Sequence, residues 1–370
     1  MASGDVEAGR LGEKLLLEVE VEELSSVFSS LRVLESESGD TEAGSKRSVF
    51  GIPELDALIP SPSPSVLELV SPPPTHHPSG AGKTSLLYLI IAHAILPATF
   101  DGTTNLNGHE AAIILFDPLH HFSVSRLAST MLHLLLSKVA VPPSALDEQT
   151  RSSLISLTAR SLDHVHIFRP QSWSALLTTL STLPDYLFDS ERHKSTNRRI
   201  HALMLEDLDA FIWSLRSAAT SDATSDATSD ATSNTTNTNT NQLSTPSHQL
   251  TTQLSRLSTL LCCNVITTSA SVLAAAFRPP LPLSWPGGVR ATRVAVRRVE
   301  VVRFGPGMSV EQAEADKGQR WDVVRRGRFA CWKVGGVGAG REGQDREEQG
   351  FVFRVGREGV SVERGRGREV

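Results

Sequence analysis

The strongest constraint on this chain is a short run, Gly80-Ala81-Gly82-Lys83-Thr84, set between two apolar segments of different character. Upstream, residues 65–70 read Ser-Val-Leu-Glu-Leu-Val, a β-rich stretch. Downstream, residues 83–96 turn strongly apolar and are stopped by Pro97, as expected of a buried helix. A glycine-rich connection from strand to helix, ending in Gly-Lys-Thr, aims backbone N–H groups and one lysine at a small volume beside a helix N-terminus. That is a cradle for phosphate. Its candidate residues are Ser79, Gly80, Ala81, Gly82, Lys83, Thr84 and Ser85. Lys83 would neutralise the terminal phosphates and Thr84 would place its hydroxyl on Mg2+. The first glycine of the G-x-x-x-x-G-K-[ST] pattern is missing: His77 takes its place, behind Ser71-Pro72-Pro73-Pro74-Thr75-His76. The approach from the strand is therefore longer and stiffer than usual.

The same alternation of strand and helix continues along the chain. Residues 111–116, Ala-Ala-Ile-Ile-Leu-Phe, form a continuous apolar run that ends at Asp117. Runs without a polar alternate mark strands buried on both faces, hence a parallel sheet with helices on each side. Residues 123–139 have helical period, 165–168 read as a strand, 172–188 as a helix, and 201–205 as a strand ending in Glu206-Asp207. A helix over 249–261 and a strand over 264–268 follow. Such βαβ succession predicts a doubly wound sheet. Beyond Pro279-Pro280 the pattern changes: 294–304, 321–334 and 351–362 are β-rich, with no helix expected between them. They read as an antiparallel meander extending the parallel sheet.

Residues 1–46 look appended: 12–34 suit one amphipathic helix and 35–47 a polar linker. Two segments cannot contribute to a core. Residues 219–242 repeat Ala-Thr-Ser-Asp and drift into Thr and Asn, so a disordered insert is expected over 217–245. Residues 335–350 read as a flexible Gly-rich, charged loop.

Net charge is −5, but from Val289 onward 18 Lys and Arg face 12 Asp and Glu, which makes that end basic. A basic end favours nucleic acid; arginines alternating with valines also suit the outer face of strands. No run of about eighteen apolar residues is present, and the acidic N-terminus lacks the basic start of a signal peptide. The reading is a soluble intracellular chain with no membrane partner. Cys262 and Cys263 are adjacent and Cys331 is distant, without zinc spacing. His76-His77 and His120-His121 have no Cys or carboxylate spacing around them and read as loop or core histidines.

Several segments together resemble a known family. Phe50-Gly51-Ile52-Pro53-Glu54-Leu55-Asp56 looks like the turn and helix that precede the first core strand of RecA-superfamily ATPases. Residues 114–122 resemble the second core strand, and 203–213 the Walker B strand with the segment after it. Residues 277–285 (Phe-Arg-Pro-Pro-Leu-Pro-Leu-Ser-Trp) and 351–360 resemble the last part of that core. Over about residues 48–362, inserts aside, the chain is similar to the eukaryotic RecA-like DNA recombinase paralogues, the X-ray-repair cross-complementing branch in particular, in a fungal form. The resemblance implies a RecA-like P-loop NTPase core over 47–370, of α/β class, with a mostly parallel doubly wound sheet and a C-terminal antiparallel β meander. It also implies a nuclear protein that binds ATP with Mg2+, assembles with other RecA-like recombinase paralogues as a hetero-oligomer, binds DNA within that assembly, and serves homologous recombination repair of double-strand breaks.

Within the family pattern, the acidic group at the end of the Walker B strand holds Mg2+, which falls on Glu206, with Asp207 adjacent. The carboxylate that orients the attacking water falls on Leu119, which cannot polarise water, leaving Asp117 as the remaining catalytic candidate. ATP binding with weak or no intrinsic hydrolysis is the expectation. The alternatives are an active DNA-dependent ATPase or strand-exchange protein, and a P-loop small-molecule kinase. The Ala-Thr-Ser-Asp repeat offers no Lys, Arg or aromatic residue, so Arg278, Arg290 and Arg293 are the DNA-contact candidates.

Overall fold

A computed structural model describes residues 48–59, 65–73, 82–139, 146–225, 243–273, 276–299, 307–335 and 350–363. The chain divides into two compact units, Met1–Arg47 and Ser48–Val370. The expected N-terminal helix and linker, most of the Ala-Thr-Ser-Asp insert and nearly all of loop 335–350 lie outside the described residues.

A short helix α1 (Pro53–Asp56) leads into strand β1 (Val66–Ser71) and helix α2 (Lys83–Ile95). A small hairpin, β2 (Thr99–Phe100) with β3 (Thr104–Asn105), precedes β4 (Ala112–Phe116), α3 (Val124–Val139), α4 (Glu148–Leu162) and β5 (Val165–Phe168). Then come α5 (Trp173–Leu187), β6 (Ile200–Leu205), a 3-10 turn (Leu208–Phe211), α6 (Ile212–Ser225), α7 (Ser244–Leu261) and β7 (Asn264–Ala270). The last elements are β8 (Ala291–Arg298), α8 (Val310–Arg325), β9 (Arg328–Lys333), β10 (Gly350–Val355) and β11 (Val360–Glu363).

One nine-stranded sheet runs in the order β11-β10-β9-β8-β1-β7-β6-β4-β5. The strands from β8 to β5 pair in parallel, while β8–β9, β9–β10 and β10–β11 pair antiparallel. The molecule is thus α/β, with a large, mostly parallel sheet and antiparallel C-terminal strands. Alternate side chains of the parallel strands feed two cores, as the period of 2 requires. Leu67, Leu69, Ile113, Leu115 and Met204 join α2, α3 and α4 on one face. Val66, Ile114, Phe116, Leu203 and Leu205 join α5 and α7 on the other. This double burial explains the unbroken apolar runs in the sequence.

Helix α2 lies within the first core. Every residue from Leu86 to Ile95 is buried, His93 included, so the helix has no solvent face beyond its first turn. It starts at Gly82, which has φ +87°. A Cβ there would lie 2.7 Å from the Phe329 ring, so both the backbone angle and the close approach require glycine.

Two sequence expectations are corrected. No helix was expected between the late β-rich runs, yet α8 (Val310–Arg325) takes residues 310–325, and β9 begins only at Arg328. The cause is a capping box: the Gln312 N–H donates to Ser309 Oγ at 3.3 Å, and the Ser309 N–H donates to Gln312 Oε1 at 3.1 Å. Helix-forming Glu, Ala, Gln and Lys residues follow it, and they outweigh the β tendency of Trp321 and Val324. Strand β8 is also not the first turn of an antiparallel meander. It lies parallel to β1, with Glu68 opposite Arg293, because the long connection from β7 returns it to the same end of the sheet.

A buried ion pair ties β1 to β8. Glu68 is 3% exposed and accepts from Arg293 Nε at 2.9 Å and Nη2 at 2.8 Å, and from Trp285 Nε1 at 3.1 Å. Replacing Glu68 by Gln leaves a guanidinium without its counter-charge. The expected loss is about 2 kcal/mol of stability, read from the urea midpoint with an unchanged m value. An unchanged midpoint would show that the pair contributes nothing to joining these strands.

Candidate active site at the carboxyl edge of the sheet

The parallel strands all point their carboxyl ends the same way, and the polar residues that follow them gather on that edge. This is where open α/β sheets carry their ligands. Lys83, Thr84 and Ser85 form the first turn of α2 and are half-buried; Ser79, Gly80 and Ala81 lie outside the described residues. The Lys83 ammonium donates to Ser71 Oγ at the end of β1, at 2.8 Å. Thr84 Oγ1 donates to Glu206 Oε1, which follows β6. The structure thereby distinguishes the two acidic candidates. Glu206 sits beside Thr84, whereas the Asp207 carboxylate is 2.7 Å from His121 Nδ1. A carboxylate only accepts, so His121 carries the hydrogen on Nδ1.

Local backbone geometry explains this divergence. Asp207 adopts a left-handed conformation, φ 46° and ψ 54°, and its N–H donates to Thr268 Oγ1 on β7 at 2.9 Å. The turn swings consecutive acidic side chains to different partners. Aspartate is one of the few residues that tolerate this region. Glu206 is 1% exposed, and its Oε2 has no hydrogen-bond partner among the described residues. Burial pushes its carboxyl up to about 7; the Asp207 and Asp117 charges add to this, while the Thr84 hydrogen bond and His121 oppose it. Burial raises Asp209 in the same way.

Asp117, the catalytic candidate, is fully buried. Oδ1 accepts from the His121 N–H at 2.9 Å and Oδ2 from the Phe122 N–H at 3.3 Å; Arg169 Nε lies 3.8 Å from Oδ2. Both oxygens are thus occupied in shaping the loop after β4. Leu119 is 46% exposed and brings no polar atom to the edge.

The three candidate DNA-contact arginines are not brought together. Arg278 follows β7 and lies on the carboxyl edge, where its N–H donates to Ser271 Oγ at 3.0 Å. Arg290 precedes β8 and lies at the opposite end of the sheet, while Arg293 is engaged by Glu68.

Sequence reading missed Ser71, His121, Arg169 and Thr268 as members of this cluster. Ser71 and Arg169 each sit at or just after the carboxyl end of a strand, so the rule that found Asp117 and Glu206 could have flagged them. His121 and Thr268 come close only through folding. Thr84 and Glu206 offer hard oxygen donors of the kind Mg2+ takes, and the orphaned Glu206 Oε2 fits a further partner. Among the described residues no three His, Cys, Asp or Glu form a metal-holding group. A nucleotide-bound Mg2+ needs only one or two protein oxygens, with phosphate and water supplying the rest. No family model matches the chain, and no curated protein matches it.

The raised Glu206 value has a definite sign. Its unfolded counterpart releases the proton near 4.5, whereas the native group holds it up to about 7, so the folded state binds more protons in that window. Stability therefore falls as pH rises from 4.5 to about 7, by roughly 3 kcal/mol at most. His93, His166 and His201, which burial pushes down to about 4, about 4 and about 3, act in the reverse sense and lose their contribution as pH falls below 6.5. Glu206→Gln should remove the first slope and keep the second. Urea denaturation across this pH range measures both, and parallel pH courses for the two proteins would rule out a protonated native Glu206.

Proposed function

We propose that this chain is the ATP-binding subunit of a recombinase-paralogue complex in the nucleus, with a RecA-like P-loop NTPase core. In that role it serves homologous recombination repair of DNA double-strand breaks, holding ATP with Mg2+ and hydrolysing it weakly or not at all. The observation that carries the nucleotide part is the pairing of Thr84 with Glu206 beside Lys83, at the start of a buried helix on the carboxyl edge. In this reading Lys83 moves from Ser71 to the phosphates, and the N–H groups of the first α2 turn contribute the dipole end. The Thr84 hydroxyl and the Glu206 carboxylate, in its ionised form, would hold the cation. Bound Mg2+ would supply charge neutralisation of the phosphates.

Weak hydrolysis follows from what faces the edge. An attacking water needs an accepting carboxylate. Asp117 spends both oxygens on backbone N–H groups of its own loop, and Leu119 offers no acceptor. The assembly and repair role rests on the resemblance of residues 48–362 to the recombinase paralogues, and DNA contact within the complex, with Arg278 the candidate on the carboxyl edge, belongs to the same reading.

A fluorescent ATP analogue titrated with and without Mg2+ tests the site. Lys83→Ala should weaken binding at least tenfold, and Glu206→Gln should abolish the Mg2+ enhancement. Unaltered affinity in Lys83→Ala would sink the nucleotide reading. Purification of the tagged chain from its own cells tests the assembly: recovery of recombinase paralogues supports it, and their absence rejects it.

A further inference from the structure

The sheet is covered on both faces along its parallel part, and Ala330 and Trp332 of β9 carry that cover onto the outer face of the antiparallel end, where they pack with Phe277; beyond them the outer face carries charged and polar side chains. Phe329, Cys331, Phe351, Phe353 and Val360 point into the core shared with α2. The alternate residues of β9, β10 and β11 point the other way: Arg328, Arg354, Ser361 and Glu363 share that outer face. Arg354 and Ser361 are exposed, and Arg328 and Glu363 are partly so. Antiparallel register sets Arg328 directly opposite Arg354, and Arg354 directly opposite Ser361. Arg326, in the turn leading to β9, completes a cleft of 340 Å³ lined by Arg326, Arg328, Arg354 and Glu363.

Three like charges crowded on one cleft repel each other, and one carboxylate neutralises only one of them. Glu363 is already spent on Arg328, with Nη2 at 2.7 Å and Nε at 3.0 Å. Arg354 uses Nε on the Arg326 carbonyl at 3.2 Å, which anchors its stem and leaves its terminal nitrogens directed elsewhere. The Arg326 guanidinium has no hydrogen-bond or ion-pair partner among the described residues. Two guanidinium positive charges thus remain without a counter-charge among the described residues, beside an exposed serine hydroxyl. The Arg328–Glu363 pair is itself part-exposed and contributes little to stability, so an incoming anion can compete with it.

We propose that this cleft binds a phosphate group, with Arg326 and Arg354 as primary contacts, Ser361 beside Arg354 as a hydroxyl donor and Glu363 as a competing internal anion. Guanidinium forks match phosphate oxygens in geometry as well as charge. Either a nucleic-acid backbone or a free phosphate supplies that chemistry. The cleft stands at the same end of the sheet as the start of α2, since Arg298 at the end of β8 pairs with Phe329, but its arginines share the opposite face, so the proposal does not rest on the nucleotide site.

The test uses the full chain and two probes, a fluorescein-labelled oligothymidylate followed by anisotropy and inorganic phosphate followed by calorimetry. Arg326→Ala and Arg354→Ala should each weaken the bound probe by about threefold to tenfold. For the oligonucleotide each should also lower the slope of log affinity against log salt by about 0.7, one phosphate contact. Glu363→Gln should tighten binding severalfold, a gain that misfolding cannot mimic. Arg256→Ala, an exposed arginine on α7, should leave the affinity for these probes unchanged. Arginine-dependent binding of the oligonucleotide alone assigns the cleft to a phosphodiester backbone, and arginine-dependent heat from phosphate assigns it to a free phosphate. Binding of neither probe, or equal losses in Arg256→Ala, overturns the proposal, as does weaker binding in Glu363→Gln.

Discussion

Burial of helix α2 is the constraint on which the rest of the structure depends. Ten consecutive positions, Leu86 to Ile95, are out of solvent, so this helix cannot lie on a surface. Such a helix needs neighbours all round. The sheet supplies one side through Leu67, Leu69 and Ile113; α3, through Leu127 and Met131, and the C-terminal strands, through Phe329 and Phe353, help to supply the others. Only the first turn reaches the surface, at the carboxyl edge beside β1 and β6. The positions of Lys83 and Thr84 are therefore a consequence of core packing. So is the glycine at 82, whose Cβ would collide with the Phe329 ring that closes the core.

The carboxyl edge sorts its charges by local backbone shape. Three acidic residues close the ends of β4 and β6, yet each has a different partner. Asp117 is tied into its own loop, Glu206 meets Thr84, and Asp207 turns through a left-handed residue toward His121. Separation of this kind limits repulsion between them. It also leaves one buried carboxyl, Glu206, with an oxygen unsatisfied among the described residues and a proton held toward neutrality, a state that an incoming cation would relieve. The antiparallel end handles charge differently. Beyond Ala330 and Trp332 its outer face carries charge, and Arg328 and Arg354 collect there with Arg326 in the turn before β9.

How far the sequence could be read depended on whether the signal was local. The runs at 111–116, 165–168, 201–205 and 264–268 fell on β4, β5, β6 and β7, because strands packed between helical layers draw mostly apolar residues, with buried polar exceptions such as His201, Asn264, Thr267 and Thr268. The helix starting at Lys83 was equally plain from its composition and from Pro97. Helix α4 left no comparable mark: Leu154 is the only large apolar residue it buries, so its apolar face is narrow. Helix α8 was obscured by Trp321 and Val324, which are exposed and pack little, although its Ser309–Gln312 capping box was visible. In the site, the strand-end carboxylates and the Gly-Lys-Thr turn were legible because each sits at a boundary between periods.

The sequence by itself determined the class of the molecule: apolar strands alternating with helices can only bury themselves as a parallel sheet between helical layers. It also marked the Gly-Lys-Thr turn as the candidate place for phosphate-type chemistry. Tertiary structure alone decided that β8 returns parallel to β1, where Arg293 finds Glu68 some 225 residues away in sequence. It alone decided that Thr84 meets Glu206 and not Asp207, because the choice depends on one left-handed backbone angle and on two residues 122 positions apart, one in the first turn of α2 and one after β6. Period and composition act over a few neighbours, whereas these pairings are fixed by strand order, and strand order follows from packing the whole chain around α2.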